Sequence, residues 1–114
     1  MVIHLPYLTA GLNGKDGLIR QHFHVAKEVK DNILLEILSQ KPERKKLKSC
    51  KILYIRYCKK YMDWDNAYAS FKHIGDALKK ANIIMDDSPN CVTELLCRQI
   101  KGKEQRTEII ITEL

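Results

Sequence analysis

Ser49-Cys50-Lys51-Ile52-Leu53-Tyr54-Ile55-Arg56-Tyr57-Cys58-Lys59-Lys60-Tyr61-Met62 runs straight into Asp63-Trp64-Asp65-Asn66. From Ile52 to Cys58 β-branched and aromatic residues dominate and turn formers are absent, so the sequence predicts a strand over 49–62. Side chains alternate across a strand. Asp63 and Asp65 therefore share a face if the strand persists that far. Two adjacent carboxylates repel, and are tolerated when solvated or when a cation lies between them.

Beyond the acids the period changes. Ala67, Phe71, Ile74, Gly75, Leu78 and Ala81 recur at three- and four-residue steps, which predicts a helix from about Asn66 to Ala81 that stops at Asn82. Asp65, Ala69, Lys72 and Asp76 line a second stripe of that helix, offset from the apolar one. Ile83 to Met85 is a short apolar stretch leading into Asp86-Asp87-Ser88-Pro89, and strands are expected from about Cys91 to Lys101 and from Thr107 to Thr112. Upstream, Val2 to Leu5 is a short strand stopped by Pro6, followed by a loop with Gly11, Gly14 and Gly17. Ala26, Val29, Ile33, Leu34, Ile37 and Leu38 predict a helix from about Gln21 to Ser39, with Pro42 just beyond it. The order is β-α-β-α-β-β. It reads as one α/β (α+β) domain over residues 1–114, with a mixed sheet and two main helices.

Composition narrows the function. Apolar residues at 45% and charged residues at 30% are globular values. No apolar run approaches the ~20 residues of a membrane span, and the start Met1-Val2-Ile3-His4 lacks the features of a signal peptide. An intracellular protein without membrane attachment is expected. Its net charge of +6 and pI near 9.2 favour an acidic partner, nucleic acid first. Residues 41–60 concentrate the charge: nine Lys or Arg, among them Lys45, Lys46, Lys48, Lys59 and Lys60, stand against Glu43 alone. Cys50, Cys58, Cys91 and Cys97 fit no zinc spacing and are read as reduced thiols. His22 and His24 fall on different sides of a helix, which argues against a shared metal.

Each acidic pair has an ordinary reading. Asp65-Asn66 can cap a helix, Asp86-Asp87-Ser88-Pro89 can be a polar turn, and Lys72 with Asp76 is an i,i+4 pair worth ~0.3 kcal/mol. Their combination suggests chemistry. Carboxylates are the ligands a hard divalent ion takes, alongside water and phosphate. A lysine near them can hold a phosphate group during attack.

The pattern Asp63-x-Asp65-Asn66, then Lys72, then Asp76-Ala77-Leu78, then Asp86-Asp87-Ser88 resembles the RusA-type Holliday junction resolvases. The resemblance extends outward through Leu5-Pro6, the glycine-containing loop and the basic strand to the closing Ile109-Ile110-Ile111-Thr112-Glu113. It implies a homodimeric nuclease that cuts four-way DNA junctions with Mg²⁺, for which Mn²⁺ can substitute. It places the metal-binding acids on Asp63, Asp65 and Asp87 with Asp86 beside them, and the essential lysine on Lys72. Asn66 to Lys72 is three residues longer than in the family's shortest pattern: close to one turn, or about 4.5–5 Å along the axis, if all are helical. The extra residues can instead sit before the helix and leave Lys72 in place.

On this reading Lys15, Arg20, Lys45, Lys46, Lys48, Lys59 and Lys60 contact the phosphate backbone, joined by Arg98, Lys101 and Lys103. Two cuts in a symmetric junction call for two sites related by a two-fold. A cytoplasmic protein of bacterial or phage origin fits. The rival readings are a junction- or DNA-binding protein of the same fold that does not cut, and a nuclease for other branched DNA.

Overall fold

The computed structural model describes residues 1–11, 23–40 and 45–114, with the backbone alone at Phe23 and His24. Lys15 and Arg20, Gly14 and Gly17, and Lys41 to Arg44 lie outside the described residues. The elements are β1 (Val2–Leu5), α1 (Phe23–Gln40), β2 (Cys50–Cys58), α2 (Trp64–Ala69), α3 (Lys72–Lys80), β3 (Val92–Lys101) and β4 (Arg106–Glu113). They form an α+β domain around one mixed sheet of order β1-β4-β2-β3. β4 pairs antiparallel with both β1 and β2, while β2 and β3 run parallel. No helix among the described residues is long and apolar enough to cross a membrane.

Alternation in β2 decides which face is covered. Cys50, Ile52, Tyr54, Arg56 and Cys58 point toward the helices and are buried. With Ile3, Leu5, Ile109 and Ile111 from the flanking strands, and Ile33, Ile37, Ala67, Ile74 and Leu78 from the helices, Cys50, Ile52 and Tyr54 enclose one core among the described residues. All six residues of the apolar stripe expected from Ala67 to Ala81 are buried. On α1 the buried residues are Ile33 and Ile37, whereas Leu38 is exposed.

The helix expected over 66–81 is two helices. Ser70 and Phe71 separate α2 from α3, and Phe71 N–H donates to Tyr68 O at 3.1 Å, one residue short of the helical step. A buried polar knot sits at the break. Arg56 Nη1 donates to Ser70 Oγ at 2.7 Å, to Thr9 O at 2.8 Å and to Tyr54 Oη at 3.0 Å. Thr9 Oγ1 donates to Ser70 O, and Ser70 Oγ donates to Ala67 O at 2.6 Å. Ser70 is thereby tied to both the sheet and the N-terminal segment at the point where the helical bonding changes. The stripe expected from Asp65 to Asp76 is therefore interrupted. The extra residues between Asn66 and Lys72 form neither a continuous helix nor a loop before one, but hold this break.

At its far end α3 closes in a Schellman motif: Asn82 N–H donates to Lys79 O and Ile83 N–H to Leu78 O, both at 3.1 Å, with Asn82 at φ 59°. Ile83 and Met85 then exchange backbone hydrogen bonds with Leu47, each at 2.9 Å. Ser88 O accepts from Cys91 N–H at 3.0 Å and Val92 N–H at 2.9 Å, which closes the turn into β3. These anchors fix where Asp86 and Asp87 stand.

Candidate active site

β2 ends at Cys58, not at 62. Asp63 is the N-cap residue of α2, in extended conformation, and accepts Ala67 N–H on its carbonyl at 2.9 Å. Its side chain makes no capping bond. Asp65 lies in the first turn of α2, where its Oδ1 accepts Asn66 N–H at 2.9 Å. The expectation that Asp65 caps the helix is thus corrected to Asp63. Because the chain is helical by Trp64, alternation no longer aligns the two carboxylates. Both are exposed, with Trp64 between them 57% exposed.

A second locus forms where α2 meets α3. Tyr68, Phe71, Lys72, Gly75, Asp87 and Thr93 are among the residues lining a cleft of about 450 Å³. Asp87 packs on Gly75: a Cβ built on that glycine would lie 3.5 Å from Asp87 Cβ and 3.6 Å from its Oδ2. Lys72 Nζ lies 3.5 Å from Asp76 Oδ1, and the other oxygen of Asp76 lies 3.4 Å from Lys30 Nζ. Lys72 is otherwise largely exposed. Its pairing with Asp76 is weak at such exposure, so its charge remains available to a phosphate. Asp86 turns to Lys79, 3.3 Å away. The Ser88 hydroxyl beside it, the Lys79 ammonium and the Asp87 N–H hold the Asp86 carboxyl down to about 2.

Lys72 and Asp87 thus share a cleft, while Asp63 and Asp65 stand at the start of α2. The cause is the course of the chain. Met62 N–H donates to Gln99 Oε1, and Gln99 Nε2 donates to Met62 O, both at 2.9 Å, mooring the start of α2 at the Gln99 end of β3. The turn bearing Asp86 and Asp87 is closed at the Val92 end. Asp65 stands one turn, or roughly 6 Å along α2, before Ala69, which lines the cleft. Among the described residues no three His, Cys, Asp or Glu side chains stand close enough to share a metal ion. The donor set still suits a hard cation of smaller demand: Mg²⁺ commonly takes one or two carboxylates and completes its shell with water and substrate phosphate.

The basic run of 41–60 is not one patch. Lys45, Lys46 and Lys48 are exposed ahead of β2, beside Ser49, Glu113 and Leu114, while Lys59 and Lys60 are exposed beyond its other end. The nine residues of β2 hold these groups roughly 30 Å apart. Arg56, one of the nine basic residues of 41–60, is only 4% exposed and belongs to the polar knot. Sequence reasoning passed over this residue, although its even-numbered position among Cys50, Ile52, Tyr54 and Cys58 signals an inward side chain. All four cysteines are free and buried.

The match to known families is specific: residues 16–112 match endodeoxyribonuclease RusA, and the chain belongs to that family. No curated protein matches the chain.

Proposed function

We propose that the protein is an endodeoxyribonuclease that resolves four-way DNA junctions by phosphodiester hydrolysis in recombination and repair, in the cytoplasm of a bacterial or phage-infected cell. Membership of the family over residues 16–112 carries this reading, and the pairing of Lys72 with Asp87 across one cleft supports it. Lys72 would neutralise a non-bridging oxygen of the scissile phosphate, and the Asp87 carboxylate would accept a hydrogen bond from the attacking water. Asp63 and Asp65, on the approach to the cleft, or Asp87 with Asp86, would hold Mg²⁺, or Mn²⁺ in its place. The ion would supply water activation and charge stabilisation. Lys45, Lys46 and Lys48 at one end of β2 and Lys59 and Lys60 at the other would contact backbone phosphates of different duplex arms, with Lys15 and Arg20 contributing from the loop. A homodimer would present two such sites to the two strands that must be cut.

The separation of Asp63 and Asp65 from Asp87 favours a second reading, a junction-binding protein of this fold that does not cut. Incubating the purified protein with an end-labelled synthetic four-way junction, with and without Mg²⁺, decides between them. Paired symmetric incisions that need the metal support the nuclease; retention of intact junction in Mg²⁺ supports the binder. Three-way and flap substrates in the same assay test a nuclease for other branched DNA.

A further inference from the structure

Aromatic exposure is concentrated in one short stretch. Among the described residues the exposed aromatic side chains are Tyr61, Trp64 and Tyr68, which are 56%, 57% and 39% exposed. Apolar side chains scattered singly over a surface need no explanation; rings gathered between residues 61 and 68 do. Tyr68 is anchored. Its Oη accepts Cys97 N–H from β3 at 3.2 Å, and the residue lines the cleft that holds Lys72 and Asp87. Trp64 stands one turn earlier on α2, roughly 6 Å along the axis. Its ring centroid lies 6.4 Å from that of Tyr68, at an interplanar angle of 48°. As an i,i+4 pair the two rings support the helix. That accounts for their contact, but not for the indole surface left free beside two exposed carboxylates, Asp63 and Asp65.

We propose that Trp64 stacks on an unpaired nucleobase of the branched substrate and so positions the strand on the approach to the cleft. The inference deepens the junction-cleaving reading and rests on it. Charge selects the base, not the backbone, as the occupant. Asp63 and Asp65 flank the indole in sequence and oppose a bare phosphate over the ring, whereas the face of a base is uncharged. Counter-charge for the neighbouring phosphates stands close by. Lys59 and Lys60 are exposed just ahead of the stretch, and Lys101 Nζ lies 5.7 Å from the Tyr61 ring centroid. Aromatic faces bordered by cations are what binds unpaired strands.

Branching supplies the partner. The cost of extruding a base is least where it has already lost its pairing, and the interior of a linear duplex offers no such base. Trp64 therefore favours branched over linear DNA through a contact separate from the Lys72 and Asp87 side chains.

Trp64 is the only tryptophan of the chain, so tryptophan emission reports on this residue alone. The protein is titrated with a four-way junction in Ca²⁺ in place of Mg²⁺, and the junction is checked on a gel afterwards to be whole. Stacking should quench the emission, while a linear duplex of the same sequence, bound to equal occupancy at lower salt, should leave it nearly unchanged. Trp64→Ala, checked for native circular dichroism, should bind the junction at least about fivefold more weakly. Its affinity for the duplex should not change, and Trp64→Phe should restore most of the loss. Unchanged emission at saturating junction overturns the inference, as do equal quenching by duplex and a folded Trp64→Ala with wild-type junction affinity. A blue shift that grows with protein concentration in the absence of DNA gives the indole to a contact between copies and overturns it too. Normal junction cleavage alongside any of these results leaves the nuclease reading standing; a wild type that binds no junction ends both.

Discussion

Asp87 rests on the one position of α3 that has no side chain, with 3.5 Å between its Cβ and the place a Cβ would occupy on Gly75. That spacing is ordinary van der Waals contact, as is the 3.4 Å to Phe71 Cε1. Gly75→Ala should therefore fit, and should gain up to about 1 kcal/mol of helix propensity. Gly75→Leu should push the Asp87 carboxylate out of the cleft. Urea denaturation and junction cleavage together check this: alanine equal or better in stability with cleavage kept, leucine folded but inactive.

The knot around Ser70 predicts a large cost for a small change. Ser70→Ala deletes the hydroxyl bound by Arg56 Nη1 and Tyr54 Oη, both at 2.7 Å. Buried polar groups left without a partner cost about 1–3 kcal/mol, and the midpoint of urea unfolding should fall accordingly. Ser39→Ala, which removes an exposed bond, should cost well under 1 kcal/mol.

His73 makes stability depend on pH. Burial foremost, then the nearby Lys30 charge, lowers its pKa below the usual 6.5, against an opposing effect of Asp76, with a lesser lowering by Lys72. The unfolded chain then binds a proton that the folded chain resists. Stability is complete above about pH 6.5 and declines as pH falls below that value toward the folded pKa. Thermal melts between pH 7.5 and 5 should show a falling midpoint, and His73→Gln should flatten that slope.

The two basic ends of β2 should act separately. Replacing Lys45 and Lys46 by Gln removes up to two phosphate contacts, and should lower the slope of log K against log[salt] for junction binding by up to about 2. Lys59→Gln with Lys60→Gln should do the same. Combining all four should add the effects, because the groups lie too far apart to share a phosphate.

Much of this architecture is legible from side-chain periodicity. Val2–Leu5 and the buried stripe from Ala67 to Ala81 follow from local patterns that the fold respects. The break at Ser70 does not, and the side chains bonded to it there are an arginine fourteen residues earlier and a threonine in the N-terminal segment. For the site, residue types at Asp63, Asp65, Lys72 and Asp87 are visible in the chain, whereas which of them share a cleft is a tertiary matter. Charge counting also misleads at Arg56, where the strand's alternation outweighs the basic neighbourhood. The parallel pairing of β2 with β3 separates the start of α2 from the turn at Asp87, and no spacing along the sequence encodes that pairing.

The most direct measurement is cleavage and binding of a labelled four-way junction by wild type and Asp65→Asn, side by side in Mg²⁺. Wild type should cut, and the variant should bind with unchanged affinity and leave the junction whole. Equal cleavage by the two proteins would contradict the role assigned to the carboxylates at the start of α2.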